Sequence, residues 1–382
     1  MKFQIIIISV FILVGKVLSQ PDTSNEIAHQ IIYKTYNCQF EKAINQVDSL
    51  LQLSPSSIEY NYFRGMIFYR HWLYKEQFKR NAEDKEKSNE LLNSFFETFQ
   101  ATSQICDSIL KLNPDDERAL FYGGAAYGFI GIYYARAEEL YTAASEGKKG
   151  LEYHERLKNK KPDWIDAYLS EAIFNFHASQ VPWYLEAILW ILGRSGDEEK
   201  ALEILELLSE QGNYSRYEAQ ELLLSLYIRR HELKATERLY SEIEKELPGM
   251  KYYLTTNLIW DCWRNKEEKF AAELVSEKLE KSKWTDVEQH RKELGVIYIL
   301  LANTYWKLNE NQRAIIYWEK VVNENCLPEE SGWLKLVLAN SYKNAGKEDE
   351  AIQLYEEIIR SSPNGSTKEK AEEAIQKIKE KI

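Results

Sequence analysis

The sequence predicts an all-α fold, namely an α-solenoid in which antiparallel helix pairs stack side by side. Apolar residues recur at i, i+3, i+4 and i+7 along almost the whole chain, which is the periodicity of amphipathic helices. Segments that alternate with period two are missing, and 8 Pro and 16 Gly among 382 residues leave long stretches uninterrupted. A repeated pattern near the C-terminus then favours stacked helix pairs over a bundle around a single core.

The repeat is clearest in two segments of the C-terminal third, which carry the same residue types at the same spacing. Counted from its first leucine, each segment has further apolar residues at +1, +4, +13, +17 and +20. Small residues at two of these positions allow two antiparallel helices to approach closely, and aromatics fill the space beside the neighbouring unit. The positions are Leu301, Ala302, Tyr305, Ala314, Trp318 and Val321, then Leu338, Ala339, Tyr342, Ala351, Tyr355 and Ile358.

These two segments resemble the tetratricopeptide repeat family, whose helix-turn-helix units of about 34 residues carry small and aromatic residues at these positions. Partial matches, such as second helices near Ala43 and Ala235, extend the resemblance over residues 26–365. The resemblance implies a right-handed superhelix. The middle departs from the pattern, because its helices are longer than a standard repeat allows. The long stretches cover residues 57–79, 85–112 and 115–160.

In the family that these segments resemble, the first helices of successive repeats line a concave groove that binds an extended peptide or a partner helix. Carried onto this sequence, the groove positions imply a protein or peptide partner. They fall on Val296, Ile299, Asn303, Trp306, Lys307, Trp333, Leu336, Asn340, Lys343 and Asn344.

Two of these groove residues, Asn303 and Asn340, occupy the same repeat position. An asparagine amide can donate and accept hydrogen bonds at once, which suits the backbone of an extended peptide. The alternative is that both side chains simply face solvent. Family members that clamp a C-terminal carboxylate need a lysine where this chain has Ile299 and Leu336, so we do not expect carboxylate capture.

The N-terminus has the pattern of a secretory signal peptide. Lys2 precedes an apolar run over residues 3–14, and Val17 and Ser19 provide a cleavage site after Ser19. A membrane anchor is the alternative, but spanning a bilayer takes roughly 20 apolar residues. We therefore expect a signal peptide over residues 1–19, a short linker over 20–25, a periplasmic or secreted protein, and no membrane insertion after cleavage.

Charge and cysteine usage narrow the class of partner. The chain has 49 basic and 60 acidic side chains and a net charge of −11, which argues against nucleic acid and against anionic membrane surfaces. The acidic excess is explained either by solubility or by a basic partner. The four cysteines, Cys38, Cys106, Cys262 and Cys326, lie far apart and form no metal-binding motif, so buried free thiols are expected.

No pattern of catalytic residues emerges, so we expect a non-catalytic protein without cofactor or metal. The six histidines are scattered, and neither an HxxxH pair nor a GxSxG motif occurs. His177 fits a hydrogen-bonded structural residue better than a ligand. The stretch GGAAYG at residues 123–128 could suggest a phosphate loop, but it follows no strand and lacks the Lys-Ser/Thr pair. Close helix packing explains its glycines better.

Two further expectations concern the middle and the end of the chain. The leading alternative to an interaction scaffold is a small-molecule or substrate-binding component, with a pocket in the irregular middle near Phe121, Tyr127, Phe176 and Trp183. At the C-terminus, residues 366–382 predict a capping helix that covers the last repeat with a polar outer face. Its predicted start is a capping box at Ser366.

Overall fold

The computed structural model describes residues 23–180, 196–281, 289–361 and 365–380, and these contain 17 α-helices and no strand. The predicted signal peptide lies outside the described residues, and the first helix already begins within the predicted linker. The helices are α1 Thr23–Tyr36, α2 Phe40–Leu53, α3 Ile58–Phe78, α4 Ala82–Leu112, α5 Glu117–Arg136, α6 Leu140–Lys160, α7 Leu169–Ala178, α8 Glu198–Gln211, α9 Arg216–Arg229, α10 Leu233–Glu246, α11 Lys251–Arg264, α12 Glu268–Lys281, α13 Arg291–Lys307, α14 Asn311–Asn323, α15 Ser331–Asn344, α16 Glu348–Ser361 and α17 Ser366–Lys379.

The helices form two compact units. The first unit contains residues up to 76 together with 81–223, and the second contains 77–80 and the residues from 224 onward. Each unit is built from antiparallel helix pairs that follow one another along the chain, which is the predicted α-solenoid class.

The second unit has the regular repeats that the sequence predicts. In the last repeat, α15 and α16 bury Ala339, Ala351, Tyr355 and Ile358 in one core. Helix α17 adds a face of three buried apolar residues to the same core. The predicted capping box is wrong, because Gly365 is the N-cap residue and no side-chain capping bond forms. Ser366 is therefore the first helical residue.

The same tight turn joins the two helices in six pairs across both units. One residue of each turn has a positive φ, between 56° and 77°. The next residue donates its N–H to the carbonyl five positions earlier, with N–O distances of 2.8–3.0 Å, which is the Schellman pattern of helix ends. These left-handed residues, which we call the turn residues, are Cys38, Glu138, His231, Lys266, Asn309 and Gly346.

In each of the six pairs, a small residue follows the turn residue by five positions. This constant spacing aligns the repeats with one another. The small residue lies in the second helix, where it faces the first. In the pair α9–α10 this position belongs to Thr236, which is fully buried. Ala235, near which the sequence predicts a second helix, lies in α10 one residue before this position.

The first unit is the irregular region that the sequence predicts. Its helices α3, α4, α5 and α6 contain 21, 31, 20 and 21 residues, whereas the paired helices of the last repeat contain 14 each. Aromatic rings fill the space between α3, α4 and α5, and the Phe99 and Phe129 rings stack with centroids 4.4 Å apart. Gly65 allows α3 to approach this cluster, because a Cβ atom there would lie 2.8 Å from the Phe99 ring.

The first unit also closes on itself. The Tyr36 hydroxyl of α1 donates a 2.8 Å hydrogen bond to Glu218 of α9, and His29 of α1 bonds to the Asn213 side chain just before α9. The partners of these two bonds lie 182 and 184 positions apart in sequence. The helices between them therefore surround an interior space.

Candidate functional site

The predicted groove residues divide into exposed and buried groups. Trp306 and Trp333 expose 60% and 49% of their surface, which is unusual for the largest apolar side chain. Ile299 and Leu336 are buried, as is Val296. Their burial assigns these three side chains to the repeat core, because a partner cannot reach them without opening the helix pair.

The polar groove residues are partly engaged within the second unit. Asn303 donates from Nδ2 to the Ile299 carbonyl at 2.9 Å, and Asn340 accepts from the Tyr355 hydroxyl at 2.7 Å. Both side chains are half-buried. Each amide thus uses one end internally, and the simple picture of two solvent-facing asparagines does not hold. Lys343 is half-buried and Asn344 is exposed.

The alignment of the turn residues adds two tryptophans that the sequence reasoning missed. Trp260 lies six residues before its turn residue, as Asn303 and Asn340 do. Trp263 lies three residues before it, as Trp306 and Lys343 do. The turn residue of this repeat is Lys266, and recognising that it adopts a left-handed conformation would have found both tryptophans.

The two added tryptophans form a cluster with Lys307. Trp260 is 41% exposed, and its ring centroid lies 4.9 Å from that of Trp263. The Trp263 indole N–H donates to the Thr304 hydroxyl at 2.8 Å, and Lys307 Nζ lies 4.7 Å above the Trp263 ring. Lys307 also bonds to Glu268 at 3.2 Å. Helices α11 and α13 are therefore joined through an aromatic and cationic surface.

The first unit contains an apolar cavity of about 580 Å³. Its wall comes from α1, α3, α5, α6, α7 and α9. Tyr62 and Met66 contribute from α3, Phe121 and Phe129 from α5, and Leu151 from α6. The wall therefore consists mostly of aromatic rings, aliphatic side chains and glycine backbone.

The cavity only partly matches the predicted pocket. Phe121 lies on its wall, whereas Tyr127 and Phe176 are not among the described lining residues. Trp183 lies outside the described residues. The Tyr127 hydroxyl instead donates to Asp107 at 2.7 Å, in a network that Lys149 also joins at 3.0 Å. His177 lies on the cavity wall.

A buried ionic cluster lies beside the cavity. Arg70 bonds to Glu221 at 2.5 Å and contacts Glu218 at 3.4 Å, and its guanidinium stacks 4.5 Å above the Tyr36 ring. Burial raises the pKa of the Glu221 carboxyl to about 7, although the Arg70 charge acts in the opposite direction. Through Arg70 the cluster connects α3 to both α1 and α9.

The described residues offer little for metal or thiol chemistry. They contain no group of three or more His, Cys, Asp or Glu side chains placed to hold a metal ion. Burial raises the pKa of the Cys106 and Cys326 thiols to about 12 and about 11, which suppresses the nucleophilic thiolate at neutral pH. Across the same ranges, no helix combines the length and apolar character needed to cross a bilayer.

Comparison with known families identifies the last helix pair. Residues 336–365 match the tetratricopeptide repeat family. This segment is similar to a single tetratricopeptide repeat. The matched residues cover α15 after its first turn and all of α16. They include most of the second of the two segments whose residue spacing resembles the repeat. No curated protein matches the chain as a whole.

Several solved structures align with most of the chain at low similarity. The crystal structure of yeast Tom70 is 15% identical with a TM-score of 0.31, covering 95% of this chain and 83% of Tom70. The tetratricopeptide domain of P58(IPK) is 16% identical with a TM-score of 0.26, covering 94% and 99%. A monomeric IFIT1 mutant with Gppp-AAAA is 14% identical with a TM-score of 0.36, covering 85% and 68%. At these scores the alignments carry no functional argument.

Proposed function

We propose that this protein is a non-catalytic interaction scaffold in the periplasm or outside the cell, and that its second unit binds a partner peptide or helix. The proposed surface is formed by the first helices α11, α13 and α15. Its apolar anchors are Trp260, Trp306 and Trp333. Asn303 and Lys343, two of the predicted groove residues, would provide polar contacts.

The observation that carries the proposal is the exposure of these three tryptophans on consecutive first helices. Tryptophan is among the residue types most enriched at the energetic anchors of protein interfaces. Three isolated exposed aromatics would need no explanation. Their recurrence on the corresponding helix of each repeat supports one continuous binding surface.

The proposal can be tested with peptides selected on the protein itself. A random-peptide phage library is panned against residues 20–382, and selected peptides are titrated by fluorescence polarisation. Trp306→Ala combined with Trp333→Ala should lower the affinity at least about tenfold, because anchors of this kind contribute more than about 1.4 kcal/mol. Circular dichroism should show unchanged helicity, since both side chains are largely exposed.

The matched control is Tyr141→Ala in the first unit. Tyr141 is 88% exposed, so its removal deletes another solvent-exposed aromatic side chain from a helix outside the proposed surface. The control should leave peptide affinity within about twofold of the parent protein. If the tryptophan double variant binds selected peptides as tightly as the control does, the surface has been assigned wrongly.

The proposed location has a separate test. The full chain, expressed in a bacterium, should yield an envelope or secreted form whose N-terminal sequencing begins at Gln20. Ser19→Arg should block processing, because the position before the cleaved bond requires a small residue. Recovery of the unprocessed chain from the cytoplasm of the parent strain would contradict the location but would leave the binding surface untouched.

A further inference from the structure

The cavity of the first unit is a second site that the proposed function does not use. Its volume of about 580 Å³ lies within the range of about 300–1,000 Å³ that is typical of small-molecule sites. The wall combines the Tyr62, Phe121 and Phe129 rings with Met66 and Ile132. Water in a space with this wall finds few hydrogen-bond partners, so an apolar ligand can fill the space without displacing well-ordered water.

Two polar side chains of the wall, Asp166 and His154, form their hydrogen bonds within the protein. Asp166 accepts from the backbone N–H groups of residues 213–215 and from the Ser215 hydroxyl, all at 2.6–3.0 Å. His154 bonds to the Phe121 carbonyl and the Ser170 hydroxyl, both at 2.8 Å. A ligand rich in hydroxyl or phosphate groups would therefore bury its own polar atoms without partners.

Glu218, the remaining carboxylate of the wall, is also engaged. It accepts from the Tyr36 hydroxyl at 2.8 Å and contacts Arg70 at 3.4 Å. The wall thus disfavours sugars and nucleotides, and it favours a ligand whose body is a hydrocarbon.

Two glycines of the wall keep the space open. A Cβ atom added at Gly128 of α5 or at Gly147 of α6 would have no described heavy atom of a facing helix within 4 Å. Their neighbours Gly124 and Gly150 differ, because a Cβ there would collide with the facing helix. Close helix packing therefore explains Gly124 and Gly150 but not Gly128 and Gly147. Glycine within a helix costs about 1 kcal/mol relative to alanine. At Gly128 and Gly147 the structural benefit that accompanies this cost is the cavity volume that a larger side chain would fill.

One cation lies at the edge of the cavity. Lys148 lines it next to Gly147, and its side chain is half exposed. The ion pair between Lys148 and Glu152 joins atoms 4.0 Å apart at the surface, where such a pair contributes little. Lys148 can therefore turn its ammonium group toward a negative charge at the cavity mouth while its methylenes follow the apolar wall.

From this arrangement we propose that the first unit binds a single-chain aliphatic amphiphile of the fatty-acid class. The hydrocarbon chain lies along the wall formed by α5 and α6 and passes Gly128 and Gly147. The carboxylate lies at the mouth beside Lys148. This binding site is independent of the tryptophan surface of the second unit.

The test uses residues 20–382 and the fluorescent fatty acid cis-parinaric acid. Fluorescence should rise saturably with one site per chain, and palmitate should displace the probe. Gly128→Leu and Gly147→Leu should each weaken probe binding at least tenfold, because leucine fills the space that the chain occupies. Both variants should fold, since leucine is a better helix former than glycine and an added Cβ atom has no described neighbour within 4 Å at either position.

The matched control is Gly332→Leu in the second unit. Gly332 lies in α15, and its nearest described neighbour would be a methyl group 3.9 Å from the added Cβ. This variant should bind the probe as the parent protein does. Melting curves of all three leucine variants show that any loss of binding does not reflect unfolding.

A charge reversal tests the position of the carboxylate. Lys148→Glu should weaken palmitate roughly fivefold, as expected for an exposed ion pair that becomes repulsive, and should leave displacement by uncharged hexadecanol unchanged. Equal loss for both competitors would overturn the carboxylate position. The site itself would be refuted by non-saturable probe fluorescence, or by full probe affinity in both Gly128→Leu and Gly147→Leu.

Discussion

The turn residues allow a prediction with opposite signs at equivalent positions. Lys266 and Gly346 are the turn residues of two repeats of the second unit, and their φ angles are 63° and 77°. We expect Lys266→Gly to stabilise the protein and Gly346→Ala to destabilise it. A residue with a Cβ atom pays about 1–2 kcal/mol for the left-handed conformation, and glycine avoids this cost.

The magnitude follows from the folded and unfolded states together. Glycine gives the unfolded chain more conformational freedom, which offsets roughly 0.4–1 kcal/mol of the gain. The net expectation is therefore an increase of about 0.5–1 kcal/mol in the free energy of unfolding for Lys266→Gly. For Gly346→Ala the same two contributions have opposite signs, so we expect a loss of about 0.5–1 kcal/mol. No contact opposes either change, because Lys266 is exposed and a Cβ at Gly346 meets no described residue within 4 Å.

The assay is urea unfolding followed by circular dichroism at 222 nm, with the m-value checked for each variant. Gly332→Ala is the control, because Gly332 is helical and its φ is not positive. Alanine there should stabilise by up to about 1 kcal/mol through helix propensity. The reasoning fails if Gly346→Ala is as stable as the parent protein, or if Lys266→Gly is less stable.

Three further predictions concern the first unit. Burial raises the pKa of the Glu221 carboxyl to about 7, so the folded state binds the carboxyl proton more tightly than the unfolded state does. The free energy of unfolding should therefore fall as the pH rises from about 4.5 to 7. Glu221→Gln should flatten that slope in urea titrations. Gly124→Ala should lose about 1–3 kcal/mol in thermal unfolding, because its Cβ would overlap the His154 ring, whereas Gly128→Ala should lose nothing. Asp166→Ala should cost about 1–3 kcal/mol by the same measurement, since it removes the acceptor of the buried Ser215 N–H and of two partly buried N–H groups.

The regular repeats were predictable because their signals are local. The positions of Ala302, Ala314, Ala339 and Ala351 follow from a spacing within about 20 residues, and all four are buried as expected. Asp197 was also predictable, since an aspartate before an acidic first turn is a helix N-cap, and its side chain accepts from the Lys200 N–H at 3.1 Å.

The candidate sites were less predictable. Ile299 and Leu336 were assigned to the groove by position, but their apolar side chains are buried in the repeat. Trp260 was missed because its turn contains Lys266 rather than a glycine or asparagine, and no local signal marks lysine as left-handed. The family pattern describes average positions, while exposure depends on the neighbours that each repeat meets.

Local pattern alone was sufficient for the helical class, the paired arrangement of the second unit and the small residues between its helices. These properties arise from contacts between residues near one another in sequence, so periodicity records them. The cavity and the ionic cluster required the tertiary structure, because Arg70 and Glu221 are 151 positions apart. No sequence period records which distant helices meet, and that meeting decides which polar groups are satisfied and which space stays empty.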